Sequence, residues 1–187
     1  MDEKVRRRKQ SQFGEIWHRL KKNKVAVVCL FVILAIVIIA ILAPVIAPYP
    51  YDKQDYTKIY APPSSEHLLG TDQLGRDVFS RVLYGSRISI SAGAVTVLIS
   101  FVVGLFFGGI AGYVGGLADD IMMRFSEMVQ SFPPLILAMV IASALGPNIS
   151  NSVLAMSIIW WPNYARLTRS IVLSVKENDY VTASRLL

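Results

Sequence analysis

Two long stretches without a charged side chain decide most of what this chain can fold into. Residues Val25–Tyr51 and Ile88–Ala118 contain no Asp, Glu, Lys or Arg. The core of the first, Val25–Ile46, reaches about 33 Å as a helix, enough to cross a hydrocarbon layer of about 30 Å. Its apolar residues form a block, without the spacing that a water-facing side imposes. The block is too long for the core of a cleaved signal peptide, and no small-residue cleavage site precedes Pro48 and Pro50. It therefore reads as a retained membrane span, TM1 (25–46). Composition agrees: 17% of residues are charged, against about 25% in an ordinary soluble domain.

A polar stretch follows at 47–87. Pro48, Pro50, Pro62 and Pro63 disfavour regular structure in its first half. Its second half, Gly75–Gly85, pairs Asp77 with Arg81, Val78 with Val82 and Phe79 with Leu83 at four-residue spacing, which predicts a short helix at the membrane surface. The second uncharged stretch predicts TM2 (88–113). Gly104, Gly108 and Gly112 recur there every fourth residue, on one side of a helix, and predict a face where another backbone comes close.

A link with Gly115, Gly116, Asp119 and Asp120 leads into TM3 (122–145). Asp120–Arg124 and Arg124–Glu127 are spaced to neutralise each other on one face, and Pro133 with Pro134 predicts a kink. After a Gly146-Pro147-Asn148 turn, TM4 (150–167) is expected, with Arg166 and Arg169 reaching to the surface. Its charge-free part, 149–165, is short for a span, so a re-entrant hairpin is the alternative. The fold class is an all-α integral membrane protein with about four transmembrane helices.

Orientation follows from the basic residues. Nine of the 19 Lys and Arg lie within residues 1–24. With that segment in the cytoplasm, 14 of the 19 fall inside, since Arg124, Arg166, Arg169, Lys176 and Arg185 join them. The asymmetry predicts a cytoplasmic N-terminus, an extracytoplasmic 47–87 loop and a cytoplasmic tail. The net charge of +6 thus has an address at a membrane flank and does not call for a nucleic-acid partner. The one cysteine, Cys29, sits inside the first apolar block and reads as filler.

Catalytic chemistry finds no foothold. There is no Gly-Lys pair for a phosphate-binding loop, so the chain is not the ATPase of a transporter, and HExxH, GxSxG and SxxK are all missing. No cofactor is implied. His67, Asp72 and Asp77 could be imagined as metal ligands, but their five-residue spacing fits no helix face. Asp72 suits local backbone bonding in a turn instead. Glu127 could be a proton relay; a pairing with Arg124 near the membrane boundary is the simpler reading.

Two stretches carry a resemblance. His67-Leu68-Leu69-Gly70-Thr71-Asp72-Gln73-Leu74-Gly75-Arg76-Asp77-Val78-Phe79-Ser80-Arg81, continuing to Tyr84-Gly85-Ser86-Arg87, resembles the outer-loop signature of C-type permeases of dipeptide, oligopeptide and nickel ABC importers. Trp161-Pro162, Tyr164-Ala165-Arg166 and Arg169, followed by Asp179-Tyr180-Val181 and Ala183, resemble the approach to the cytoplasmic EAA loop of such permeases. Gly115-Gly116, Met123-Arg124 and Pro133-Pro134 fit the same family.

The resemblance implies a six-helix permease in the cell membrane, paired with a related B-type permease. Two cytoplasmic ATPases would drive it, and an extracytoplasmic solute-binding protein would deliver a peptide or similar small solute. It also implies a coupling helix formed by Asp179, Tyr180, Val181, Thr182, Ala183 and Ser184, within a loop that starts at 176–187. Thr182-Ala183-Ser184 takes the E-A-A positions; only Ala183 matches, and the acidic contact is missing. Two other readings compete: a non-functional permease fragment, since four spans fall short of six and the sequence stops inside the coupling loop, and a small membrane enzyme using the outer-loop acids with His67. On the fragment reading the 187 residues neither transport alone nor stimulate a partner ATPase.

Overall fold

The structure, a computed structural model, describes residues 20–178 and 181. Among the described residues it is helical, with no strand beyond an isolated bridge between Thr71 and Asp77. It divides into two compact units, residues 1–88 and 89–187.

The first unit holds α1 (Lys24–Ile46) and the loop after it. Asn23 caps α1, its side chain accepting from the Ala26 N–H at 3.2 Å. The helix is apolar all round, and only Ala40 and Ala43 are buried. A helix with no polar side suits a lipid solvent. The loop contains one 3₁₀ turn, Tyr56–Lys58, before helix α2 (Val78–Val114) begins.

Here the expected boundaries change. The short surface helix foreseen at Gly75–Gly85 and the span foreseen at 88–113 are one continuous helix of 37 residues. Gly85 and Ser86 did not interrupt it: no proline follows, and the Ser86 hydroxyl donates to the Leu83 carbonyl at 2.7 Å within the helix, without ending it.

The second unit contains the rest of α2, then α3 (Gly116–Gln130), α4 (Pro134–Leu145) and α5 (Ile149–Lys176). TM3 is thus split into two helices bent by 88°. The cause is local: Pro133 and Pro134 remove two consecutive amide donors and push the preceding residues out of helical geometry. Helix α5 continues well past the expected end near 167, since residues 168–176 contain no glycine or proline to stop it.

By length and composition α1 and α2 can each cross a membrane, and the bent α3–α4 pair brings the number to three. The expected fourth span is not among them by that measure: α5 is long enough, but its Asn, Ser and Arg side chains leave it less apolar than α1 and α2. Helices α3 and α4 both pack on α5, whose Ala155, Ser157, Ile159, Trp161, Pro162 and Ala165 are buried.

Candidate functional site

Two sites collect the residues singled out by sequence. The first is the loop between α1 and α2. Asp77 stands at the start of α2, with one carboxylate oxygen accepting from the Ser80 N–H at 2.7 Å and the other 2.9 Å from Nδ1 of His67. Asp77, His67 and Ser80 are all buried. Because a carboxylate only accepts, the His67 proton sits on Nδ1. Burial alone would raise the Asp77 carboxyl. Hydrogen bonds from the Ser80 amide and hydroxyl and from His67 outweigh it and hold the pKa below the usual value.

Ser80 Oγ in turn accepts from the Tyr49 N–H at 3.2 Å, and the Tyr49 ring lies 5.1 Å from that of His67. Four side chains thereby tie the chain leaving α1 to the first turn of α2.

Asp72 organises the neighbouring turn. One oxygen accepts from the N–H groups of Leu74, 2.8 Å, and Arg76, 3.0 Å. The other takes Arg76 Nε at 2.8 Å and the Arg81 guanidinium. Desolvation pushes this carboxyl up, but the two backbone donors and two arginines bring it down to about 2. Thr71 Oγ1 accepts from the Ala61 N–H at 2.8 Å and donates to the Lys58 carbonyl.

Gly70 and Gly75 have φ of 73° and 69°, a region open to glycine. A Cβ on Gly75 would stand 1.8 Å from the Asp55 carbonyl oxygen, and one on Gly70 2.5 Å from that of Ala61. All nine residues of the loop signature are thus placed in one knot: His67, Gly70, Thr71, Asp72, Gly75, Arg76, Asp77, Ser80 and Arg81. Of the three imagined metal ligands, His67 and Asp77 meet each other, whereas Asp72 is taken up by arginines.

The second site is the seam between α2 and α5. A Cβ built on Gly104 would fall 2.5 Å from the Tyr164 Cβ, one on Gly108 2.1 Å from the Ala165 carbonyl oxygen, and one on Gly112 2.9 Å from the Val172 Cβ. Ala165 is fully buried. The contact extends further along α2 than the glycines announce. Ser100 Oγ donates to the Ser157 carbonyl at 3.3 Å, and Ser157 Oγ donates to the Val153 carbonyl at 2.7 Å, with the Thr96 carbonyl at 3.5 Å. Sequence reasoning missed Thr96 and Ser100, although they continue the four-residue period of small side chains. Trp161 closes the seam, its ring 5.3 Å from Phe107 of α2 and 5.9 Å from Phe125 of α3.

The charges of α3 pair differently from the expectation. Among the described residues no Asp120–Arg124 or Arg124–Glu127 ion pair forms. Instead both oxygens of Asp119 accept from Arg169, Nε and a terminal nitrogen each at 2.5 Å. This two-pronged guanidinium–carboxylate contact joins α3 to α5. Glu127 lines a cavity of about 330 Å³ together with Asp119, Asp120, Met123, Arg166 and Arg169. At the α3–α4 bend, Gln130 Nε2 donates to Asn163 Oδ1 at 3.2 Å.

Of the expected coupling residues, Val181 is described and half-buried, while Asp179, Tyr180, Thr182, Ala183 and Ser184 lie outside the described residues.

Comparison with known proteins covers both units. Residues 11–63 match the family described as the N-terminal TM domain of oligopeptide transport permease C. Residues 104–187 match the binding-protein-dependent transport system inner membrane component. The dipeptide transport system permease protein of Bacillus subtilis is 40% identical over 181 residues, which is 97% of this chain and 57% of the relative. The corresponding Escherichia coli protein is 46% identical over 92% of this chain and 59% of its own length. The oligopeptide transport system permease protein of Bacillus subtilis is 36% identical over 99% of this chain and 61% of its own length. The chain thus spans about three fifths of the curated relatives it matches.

Proposed function

We propose that the chain belongs to the permease family of binding-protein-dependent ABC importers, among the C-type subunits of peptide systems, and that it forms half of a translocation pathway for peptides or a related small solute. The observation that carries this reading is the match of both family descriptions, with 40% identity to a dipeptide permease over 97% of the chain. As a member of an inner-membrane family it is a multi-pass membrane protein.

On this reading its partners are a related B-type permease, two cytoplasmic ATPases and an extracytoplasmic solute-binding protein. ATP hydrolysis belongs to those ATPases. The N-terminus and the end of α5 face the cytoplasm, as the basic-residue asymmetry supports. Asp179, Tyr180, Val181, Thr182, Ala183 and Ser184 then dock on an ATPase, a short helix with a small apolar face in a charged rim. The glycine seam makes α2 and α5 move as one body, which suits alternating access by rigid-body rocking. A membrane enzyme built on the loop acids finds less support, because His67, Asp72 and Asp77 are occupied by one another's neighbours and by the helix start.

The direct test is reconstitution with the partner permease, ATPases and binding protein in proteoliposomes, for the 187-residue chain and for a chain extended to the length of its relatives. Solute-stimulated ATP hydrolysis and peptide uptake by the extended chain are expected; their absence removes the importer reading. Orientation is tested in a Cys29→Ser background. A Ser64→Cys variant should react with a membrane-impermeant thiol reagent in intact cells, and protection of that thiol would reverse the topology.

A further inference from the structure

Three contacts converge on the last turns of α5. Arg169 grips both oxygens of Asp119 at 2.5 Å each. Lys176 Nζ donates to the Tyr113 carbonyl at 2.9 Å. Gly112 brings α2 so close that a Cβ there would lie 3.0 Å from the Arg169 carbonyl oxygen. All three partners belong to one elbow, the end of α2 and the start of α3, which turns through Gly115 and Gly116 with φ of 71° and 56°. The Tyr113 carbonyl is among the last of its helix and has no partner further along it, so the Lys176 ammonium both satisfies it and complements the helix dipole.

We infer that Asp119, Arg169 and Lys176 are positioning residues that fasten this elbow to the end of α5, so that a displacement of the chain beyond Lys176 is passed to α2 and α3 as well as to α5. The inference rests on the importer reading, in which that end meets the ATPase. The Arg169 and Asp119 side chains keep 35% and 14% of their exposure, so the pair is partly wet and adds little to stability. Its planar, two-pronged geometry sets an angle between helices, which a lysine's point charge does not reproduce.

The test uses the permease extended to the length of its relatives and reconstituted with its partners, and compares wild type, Arg169→Lys, Asp119→Asn, Lys176→Met and the exchanged pair Asp119→Arg with Arg169→Asp. Three quantities are read: assembled complex, basal ATP hydrolysis, and stimulation of hydrolysis by peptide-loaded binding protein. Expected is near-normal assembly and basal rate, with stimulation per complex reduced about fivefold or more in Arg169→Lys and Asp119→Asn. A smaller loss is expected in Lys176→Met, and partial recovery in the exchanged pair. Lys176→Met leaves no buried charge behind and keeps the test open if the pair variants fail to assemble. Unchanged stimulation per complex in the variants overturns the inference, including the case where only the amount of complex falls. A wild-type complex without any stimulation refutes the importer reading itself, and the inference with it.

Discussion

The loop knot and the helical seam solve opposite problems with the same residue, glycine. In the knot, glycine is needed for its backbone angles as well as its small size: Gly70 and Gly75 adopt positive φ so that carbonyls and amides can turn toward one another, and a Cβ at either would strike a carbonyl oxygen. The knot is held by polar contacts, chiefly the donors gathered on Asp72 and Asp77. In the seam, Gly104, Gly108 and Gly112 are ordinary helical residues whose missing side chain is what matters. Few hydrogen bonds cross there, and dispersion between closely approached backbones does the holding. The difference follows from solvent. A loop in water must satisfy its backbone by turn chemistry, whereas helices in lipid arrive with their backbone already satisfied and gain by close packing.

The sharpest way to break the comparison is Gly108→Leu. Its side chain would meet the Ala165 backbone, and we expect a loss of about 3 kcal/mol, read as collapsed yield and thermal stability in detergent. Gly109→Leu on the same helix should be silent, because a Cβ there meets nothing within 4 Å. Equal behaviour of the two variants would mean that the glycine face does not pack.

Gly75→Ala should cost about 2 kcal/mol or more, from left-handed strain and from a Cβ driven against the Asp55 carbonyl oxygen, seen as faster proteolysis within 52–77 while the helical unit stays resistant. Asp77→Ala removes the α2 cap and the His67 partner, and roughly 1.5 kcal/mol is expected by the same assay. Asp77→Asn should recover part of it, since an amide oxygen can still accept from the Ser80 N–H.

The smallest effect is a pH dependence confined to the knot. The folded Asp72 carboxyl lies at about 2, below an unfolded value of roughly 4. A depressed pKa stabilises above the unfolded value and is lost as pH falls through the folded one. Protection of the loop should therefore be flat above about pH 4 and decline toward pH 2. Asp72→Asn should flatten that decline, and an unchanged acid profile in this variant would assign it to other groups.

The amino-acid sequence by itself determined the solvent, the placement of α1, the break at Pro133-Pro134 and the turn role of Asp72. Each depends on residues adjacent in the chain or on the length of an uncharged run, and local sterics and transfer free energy act at that range. It also marked one side of α2 as small. What it left open was settled by tertiary structure: that Gly108 meets Ala165, that Asp119 takes Arg169 fifty residues away, and that His67 finds Asp77. The start of α2 and the end of α5 were likewise misjudged from apolar length. Spacing encodes which residues share a face; which faces meet depends on helices brought together from distant parts of the chain, where packing and ion pairing choose among many partners of similar chemistry.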